Sequence, residues 1–264
     1  MRAPPGLALL TCAAAVGGRY ACESLWGAGD AWQRVVEVAT VFASAAVVGH
    51  FTSGDPPRRP WLVLTLSLAM IPLVRLAAWL HWSYAEISLQ SGFLIVGNVI
   101  FAGAMLQFSR VLGSSDLLSE RTAEARVKAM LTVGAIAAAG LAFIAYNVLE
   151  LAARGMPATR DAWATAIANG ISTVSDAIVS AGGLYLVWLL RPMVGGSLAR
   201  PYLLMAAGGA AFLVVDVMLI GVGATTQTDN VGTQAKLIGT LAYSCFAAAA
   251  LVQLTLLRAG RRSG

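Results

Sequence analysis

Two stretches decide the fold: PWLVLTLSLAMIPLVRLAAWLHW at residues 60–82 and PYLLMAAGGAAFLVVDVMLIGVG at residues 201–223. Each contains one formally charged side chain, Arg75 in the first and Asp216 in the second. At ~1.5 Å of rise per residue, a helix needs about 20 residues to cross ~30 Å of hydrocarbon, so both are long enough to span a bilayer. Further apolar stretches of similar length occupy 5–25, 31–52, 84–109, 128–152, 162–190 and 233–257. The reading is therefore an all-α polytopic transmembrane helix bundle of about eight spans.

Composition agrees with that reading. Of the 264 residues, 58% are hydrophobic and 12% charged, outside the range of soluble domains. Eight spans leave no room for an additional globular domain of ordinary size. The net charge of +5 comes from basic residues in the short connections, where they act as topology signals, so no nucleic-acid partner is expected. Met1-Arg2 and the apolar run from Gly6 to Gly18 also fit a short signal peptide, but a repeat described below favours a retained helix.

Arg58 and Arg59 lie between spans two and three. Arg110, Arg121, Arg126 and Lys128 lie between four and five, Arg191 and Arg200 between six and seven, and Arg258, Arg261 and Arg262 after eight. These positions alternate, although Arg154 and Arg160 fall in an opposite connection. The positive-inside rule then places both termini in the cytoplasm, with the plasma (inner) membrane as the expected location. Residues 113–128 form the one sizeable cytoplasmic connection. Asp116, Glu120 and Glu124 share a helical face there, which reads first as a solvated extension of span five and second as a surface for a cytoplasmic or membrane partner.

The two halves resemble each other. Tyr20-Ala-Cys-Glu23 leads to Asp30-Ala-Trp32, as Tyr146-Asn-Val-Leu-Glu150 leads to Asp161-Ala-Trp163. Arg59-Pro-Trp-Leu62 opens span three as Arg200-Pro-Tyr-Leu203 opens span seven, and Phe101-Ala-Gly-Ala has its partner in Phe246-Ala-Ala-Ala. A tandem duplication of a four-helix unit is expected, residues 1–127 and 128–264, related by a pseudo-twofold axis along the membrane normal.

Counting fifteen residues from Pro60 gives Arg75, and fifteen from Pro201 gives Asp216. Equivalent positions thus carry opposite charges deep in two spans, where an ionised group costs at least ~2.5–3.5 kcal/mol and seeks a partner. Arg75 and Asp216 are expected to meet at the axis, as a lock between the halves or as part of a pathway. Asp176 in span six has no basic partner in the linear sequence and is a proton-relay candidate. Glu37 and Glu150, with Glu23, Glu86 and Lys236, lie toward the outer face, where snorkelling explains some of them and a polar cavity would use the rest. Asn98 and Asn147 are candidates to line that cavity, or to bond neighbouring helices.

Other chemistries find little support. His50 and His81 sit about a membrane thickness apart, too far to share one haem. Lys236 lies at the polar mouth of its span, unlike a retinal-binding lysine. Cys12, Cys22 and Cys245 lack metal spacing, and no metal site or cofactor is expected. The expected function is a transporter or channel for protons, an ion or a small polar solute along a polar pathway between the repeats. Arg75, Asp176, Asp216, Glu37, Glu150, Asn98 and Asn147 would line that pathway. The alternatives are a membrane sensor or assembly subunit that binds a ligand from the outer side, and an intramembrane lipid-modifying enzyme using paired carboxylates.

Overall fold

The structure, a computed structural model, describes residues 6–84, 87–113, 159–190, 198–223 and 229–262, with single positions between 127 and 153. Seven helices make up nearly all of it: α1 (Gly6–Trp26), α2 (Gly29–His50), α3 (Arg58–Trp79), α4 (Leu89–Gly113), α5 (Arg160–Leu190), α6 (Arg200–Gly223) and α7 (Asp229–Arg262). A short antiparallel hairpin, β1 (Ser83–Tyr84) with β2 (Ile87–Ser88), joins α3 to α4. The end of the bundle that carries this hairpin is called the hairpin end below.

Local chemistry marks the helix boundaries. α1 stops at Gly27, whose φ of 63° suits a residue without Cβ. Gly27 N–H bonds to Glu23 O, the bond of an αL cap, and Ala28 N–H to Cys22 O, both at 3.0 Å, which satisfies carbonyls of the last turns. The Glu23 carboxylate then accepts from Gly29 N–H at 2.9 Å, satisfying an orphan donor at the start of α2. Pro72 lies inside α3 without ending it, as membrane-type helices tolerate.

Helices α2 to α7 form a closed ring, each packed on its neighbour in sequence order, with α7 closing onto α2. α1 packs against both α2 and α7 at that seam. α2 therefore stands opposite α5 in the ring, α3 opposite α6 and α4 opposite α7. α4 and α5 run parallel, with Ser91 beside Thr165 and the Ser175 hydroxyl donating to Asn98 O.

Away from the hairpin end the ring is filled by apolar side chains. Trp61, Phe108 and Tyr202 meet edge to face, with centroids 5.6 and 5.5 Å apart, backed by Leu64, Leu190 and Leu254. Small residues let α5 and α6 approach closely. A Cβ added at Gly183 would come within 2.8 Å of Ala206, and one at Gly209 within 2.8 Å of Ser180 N. Gly183→Ala is therefore expected to lower stability by about 1–3 kcal/mol through overpacking. Gly17→Ala, whose methyl meets nothing within 4 Å, should hold or raise stability; thermal unfolding in detergent compares the two.

Five helices, α2, α3, α4, α5 and α7, are long and apolar enough to cross a membrane, the mark of an integral membrane protein. That corrects the expectation of eight spans among the described residues. The stretch 5–25 does form a helix, α1, but Arg19 and Glu23 lower its hydropathy below that of a spanning segment. The stretch 201–223 forms α6, several of whose side chains lie outside the described residues, and 128–152 lies outside them apart from single positions.

Candidate functional site

A connected network of charged and polar side chains runs through the hairpin half of the bundle. It begins at the exposed Lys236 on α7, whose Nζ donates to Asp30 Oδ2 at 3.0 Å. Asp30 Oδ1 accepts from Arg19 Nη2 at 2.9 Å. Arg19, only 2% exposed, also bonds Gly29 O at 2.9 Å and Gln33 Oε1 at 2.7 Å through Nη1. Gln33 Nε2 donates to Glu37 Oε1 at 3.1 Å, and Arg75 Nη2 on α3 reaches the same oxygen at 3.1 Å.

The spacing of α2 makes the network possible. Gln33, Glu37, Thr40 and Ser44 recur every three or four residues, so all four lie on one face and are buried against α1, α3 and α7. Thr40 Oγ1 donates to Val36 O at 2.7 Å and also lies 3.2 Å from Tyr243 O on α7, tying the stripe across the seam. Glu37 is 3% exposed and its Arg75 partner is more than half exposed, so the carboxylate is fixed inside while the guanidinium reaches outward.

A cavity of about 90 Å³ lies inside the ring, with walls from α3, α4, α5, α6 and α7. Its polar wall is made by Ser67, Asn98, Ser172 and Asp176, and Tyr243 joins it to the seam. Ser67 Oγ donates to Gly97 O at 2.8 Å and Asn98 Nδ2 to Leu94 O at 3.0 Å, so the hydroxyl oxygen and the amide oxygen keep acceptor capacity. Asp176 is 4% exposed, and its carboxyl makes no hydrogen bond among the described residues. It sits about 24 Å along a helix about 46 Å long, near the helix midpoint. Buried polar groups are almost always partnered, so an unpartnered carboxyl on a cavity wall points to something that enters the cavity.

Asp216 on α6 accepts from Thr173 Oγ1 on α5 at 2.8 Å, one turn from Asp176, and lies near enough for the two carboxyls to feel each other's charge. Arg75 and Asp216, expected to pair with each other, do not do so. Each instead finds its partner on the helix before its own, Glu37 on α2 for Arg75 and Thr173 on α5 for Asp216. A neighbouring helix supplies a partner at hydrogen-bond range, which the opposite side of the ring does not.

Of the other expected pathway residues, Asn98 lines the cavity and Glu37 belongs to the seam network. Lys236 is exposed and ion-paired. Glu150, Asn147 and Glu86 lie outside the described residues. Sequence reasoning missed Arg19, Asp30 and Gln33 as site members, and Ser67, Ser172 and Tyr243 as cavity walls. Arg19 had a visible signal, a lone charge thirteen residues into an apolar run. Cys12 on α1 and Cys245 on α7, far apart in sequence, come near each other across the seam.

No family model, curated protein or solved structure matches the chain.

Proposed function

We propose that this protein is a membrane transporter or channel for protons, an ion or a small polar solute, with a polar pathway that enters at the hairpin end and leads to the cavity at Asp176. One observation carries the reading: a buried carboxyl with no hydrogen bond among the described residues, on the wall of a mid-bundle cavity. A carboxyl held there costs stability unless it serves a proton or a cation. The seam network extends polar groups from the surface at Lys236 to Glu37 and Arg75. The apolar filling around Trp61, Phe108 and Tyr202 closes the other half, as expected of a pathway open to one side at a time.

The orientation we adopt puts the hairpin end outside the cell and both termini in the cytoplasm. The basic residues Arg58, Arg59, Arg200 and Arg258 all belong to the opposite end, in keeping with the positive-inside rule. The protein would then reside in the plasma (inner) membrane. The ring order supports the tandem duplication: α2 and α5, α3 and α6, α4 and α7 are the equivalent pairs of the two halves, and each pair stands opposite. The Arg75–Glu37 and Thr173–Asp216 bonds are likewise equivalent, each joining the second and third spans of its own half.

Proton and cation flux into proteoliposomes of the purified protein, under an imposed pH gradient and membrane potential, tests the proposal. Wild-type vesicles are expected to conduct above empty ones, with flux reduced in Asp176→Asn and Asp216→Asn. Vesicles as tight as empty ones, to protons, inorganic cations and small organic solutes alike, would remove the reading. The sensor reading would then lead, since the same apolar filling would keep a ligand bound from outside away from the cytoplasm.

A further inference from the structure

The walls of the cavity say what kind of ion it suits. Its charged group is a single carboxyl, Asp176, and the uncharged side-chain oxygens are those of Ser67, Asn98, Ser172 and the Tyr243 hydroxyl. The remaining wall is apolar and aromatic, with Phe93 and Phe101 from α4, Phe212 from α6 and Tyr243 from α7. Phe212 and Tyr243 are mutually braced, with ring centroids 4.9 Å apart and planes at 77°.

A bare metal cation fits poorly. Alkali and alkaline-earth ions in dehydrated sites want about six oxygen ligands in a close shell. Here five oxygen-bearing side chains, Tyr243 among them, share the wall with three phenylalanine rings and with Leu68, Met70, Ile71, Val74 and Leu94, and Ser67 and Asn98 are already tied to backbone carbonyls, so the oxygens do not form a close shell. An organic cation has the complementary needs, because its N–H groups bond a carboxylate and a few oxygens while its alkyl surface and charge are satisfied by aromatic rings. Volume sets the size. An engineered cavity of ~150 Å³ holds benzene, about 25 Å³ per heavy atom. A cavity of about 90 Å³ therefore takes about four heavy atoms.

From this we infer that the cavity is a binding site for a small organic cation, an alkylammonium or guanidinium ion of up to about four heavy atoms, held by Asp176 and the aromatic wall. The inference rests on the proposed pathway only in taking such an ion as the solute. Binding itself requires no transport.

The test is thermal unfolding of the purified full-length protein in detergent with dimethylammonium chloride at tens of millimolar. The controls are equimolar sodium chloride, dimethyl ether as a neutral isostere, and tetrabutylammonium chloride as a cation too large for the cavity. Dimethylammonium is expected to raise the unfolding temperature above all three, and at least tenfold more of it should be needed for the same shift in Asp176→Asn. Equal shifts with sodium or tetrabutylammonium, or an unchanged response in Asp176→Asn, would overturn the inference. If Asp176→Asn does not fold, the comparison of charged, neutral and oversized ligands in the wild type decides alone. Dimethylammonium binding without flux of any solute would keep this inference and remove the transport reading. Flux of protons or sodium with no dimethylammonium response would do the reverse.

Discussion

Asp176→Asn is expected to lower solute flux by about 100-fold while leaving the protein folded. The argument is electrostatic. Placing a charge at the middle of a bilayer costs at least ~2.5–3.5 kcal/mol, and a carboxylate at the right depth removes much of that cost for a passing cation. Losing about 2.7 kcal/mol of stabilisation corresponds to about 100-fold in rate. Asn preserves volume and hydrogen-bonding ability, and the carboxyl it replaces has no hydrogen bond to lose among the described residues. Folding should therefore survive, with the unfolding temperature unchanged or higher, because a neutral amide is less costly to bury than a charge. Parallel flux and unfolding measurements on one preparation check both parts. A drop in stability together with flux would mark Asp176 as structural. Asp216→Asn should have a smaller effect on flux, because its carboxyl already bonds Thr173 and is not on the cavity wall.

The second large effect is expected on stability. Arg19→Ala should destabilise the protein by about 3–5 kcal/mol, the usual result of removing one member of a buried charged network. Arg19 is 2% exposed and donates to Gly29 O, Gln33 and Asp30, so its loss strips acceptors on α2 of their donor and opens a void between α1 and α2. Lys236→Ala is the contrasting variant. Lys236 and Asp30 are both more than half exposed, and such a pair contributes between nothing and about 1 kcal/mol. Equilibrium unfolding in detergent should separate the two variants clearly. Similar costs would mean that the seam is held by packing and not by its charges. Arg19→Lys should recover only part of the loss, since one ammonium cannot match a guanidinium that donates through two nitrogens.

Much of the architecture was legible in hydropathy because the bilayer enforces it: long apolar runs have no stable alternative to helices there. The ring helices α2 to α7 fall on stretches readable from the sequence, and Asp176 and Asn98 stand out as polar groups within them. Other features depended on angles that linear spacing does not carry. Arg75 and Asp216 hold equivalent places along their helices, but rotation about the helix axis and the proximity of α2 and α5 direct each toward a neighbour. The spacing of Gln33, Glu37, Thr40 and Ser44 was readable as one polar face. What it would face was not, because α1 and α7 close the seam from opposite ends of the chain. The span count failed for a compositional reason at α1, where Arg19 is buried against protein and thereby escapes the lipid that hydropathy assumes.

The central claim is that the Asp176 cavity is connected to water at the hairpin end. Ser172 lies on the cavity wall one turn before Asp176. It is replaced by Cys in a protein freed of Cys12, Cys22 and Cys245. Sealed, oriented vesicles with the hairpin end outward are then exposed to a small, membrane-impermeant cationic thiol reagent. The account predicts labelling of Ser172→Cys from outside and protection of that site by dimethylammonium. Labelling that appears only after the membrane is dissolved would contradict it.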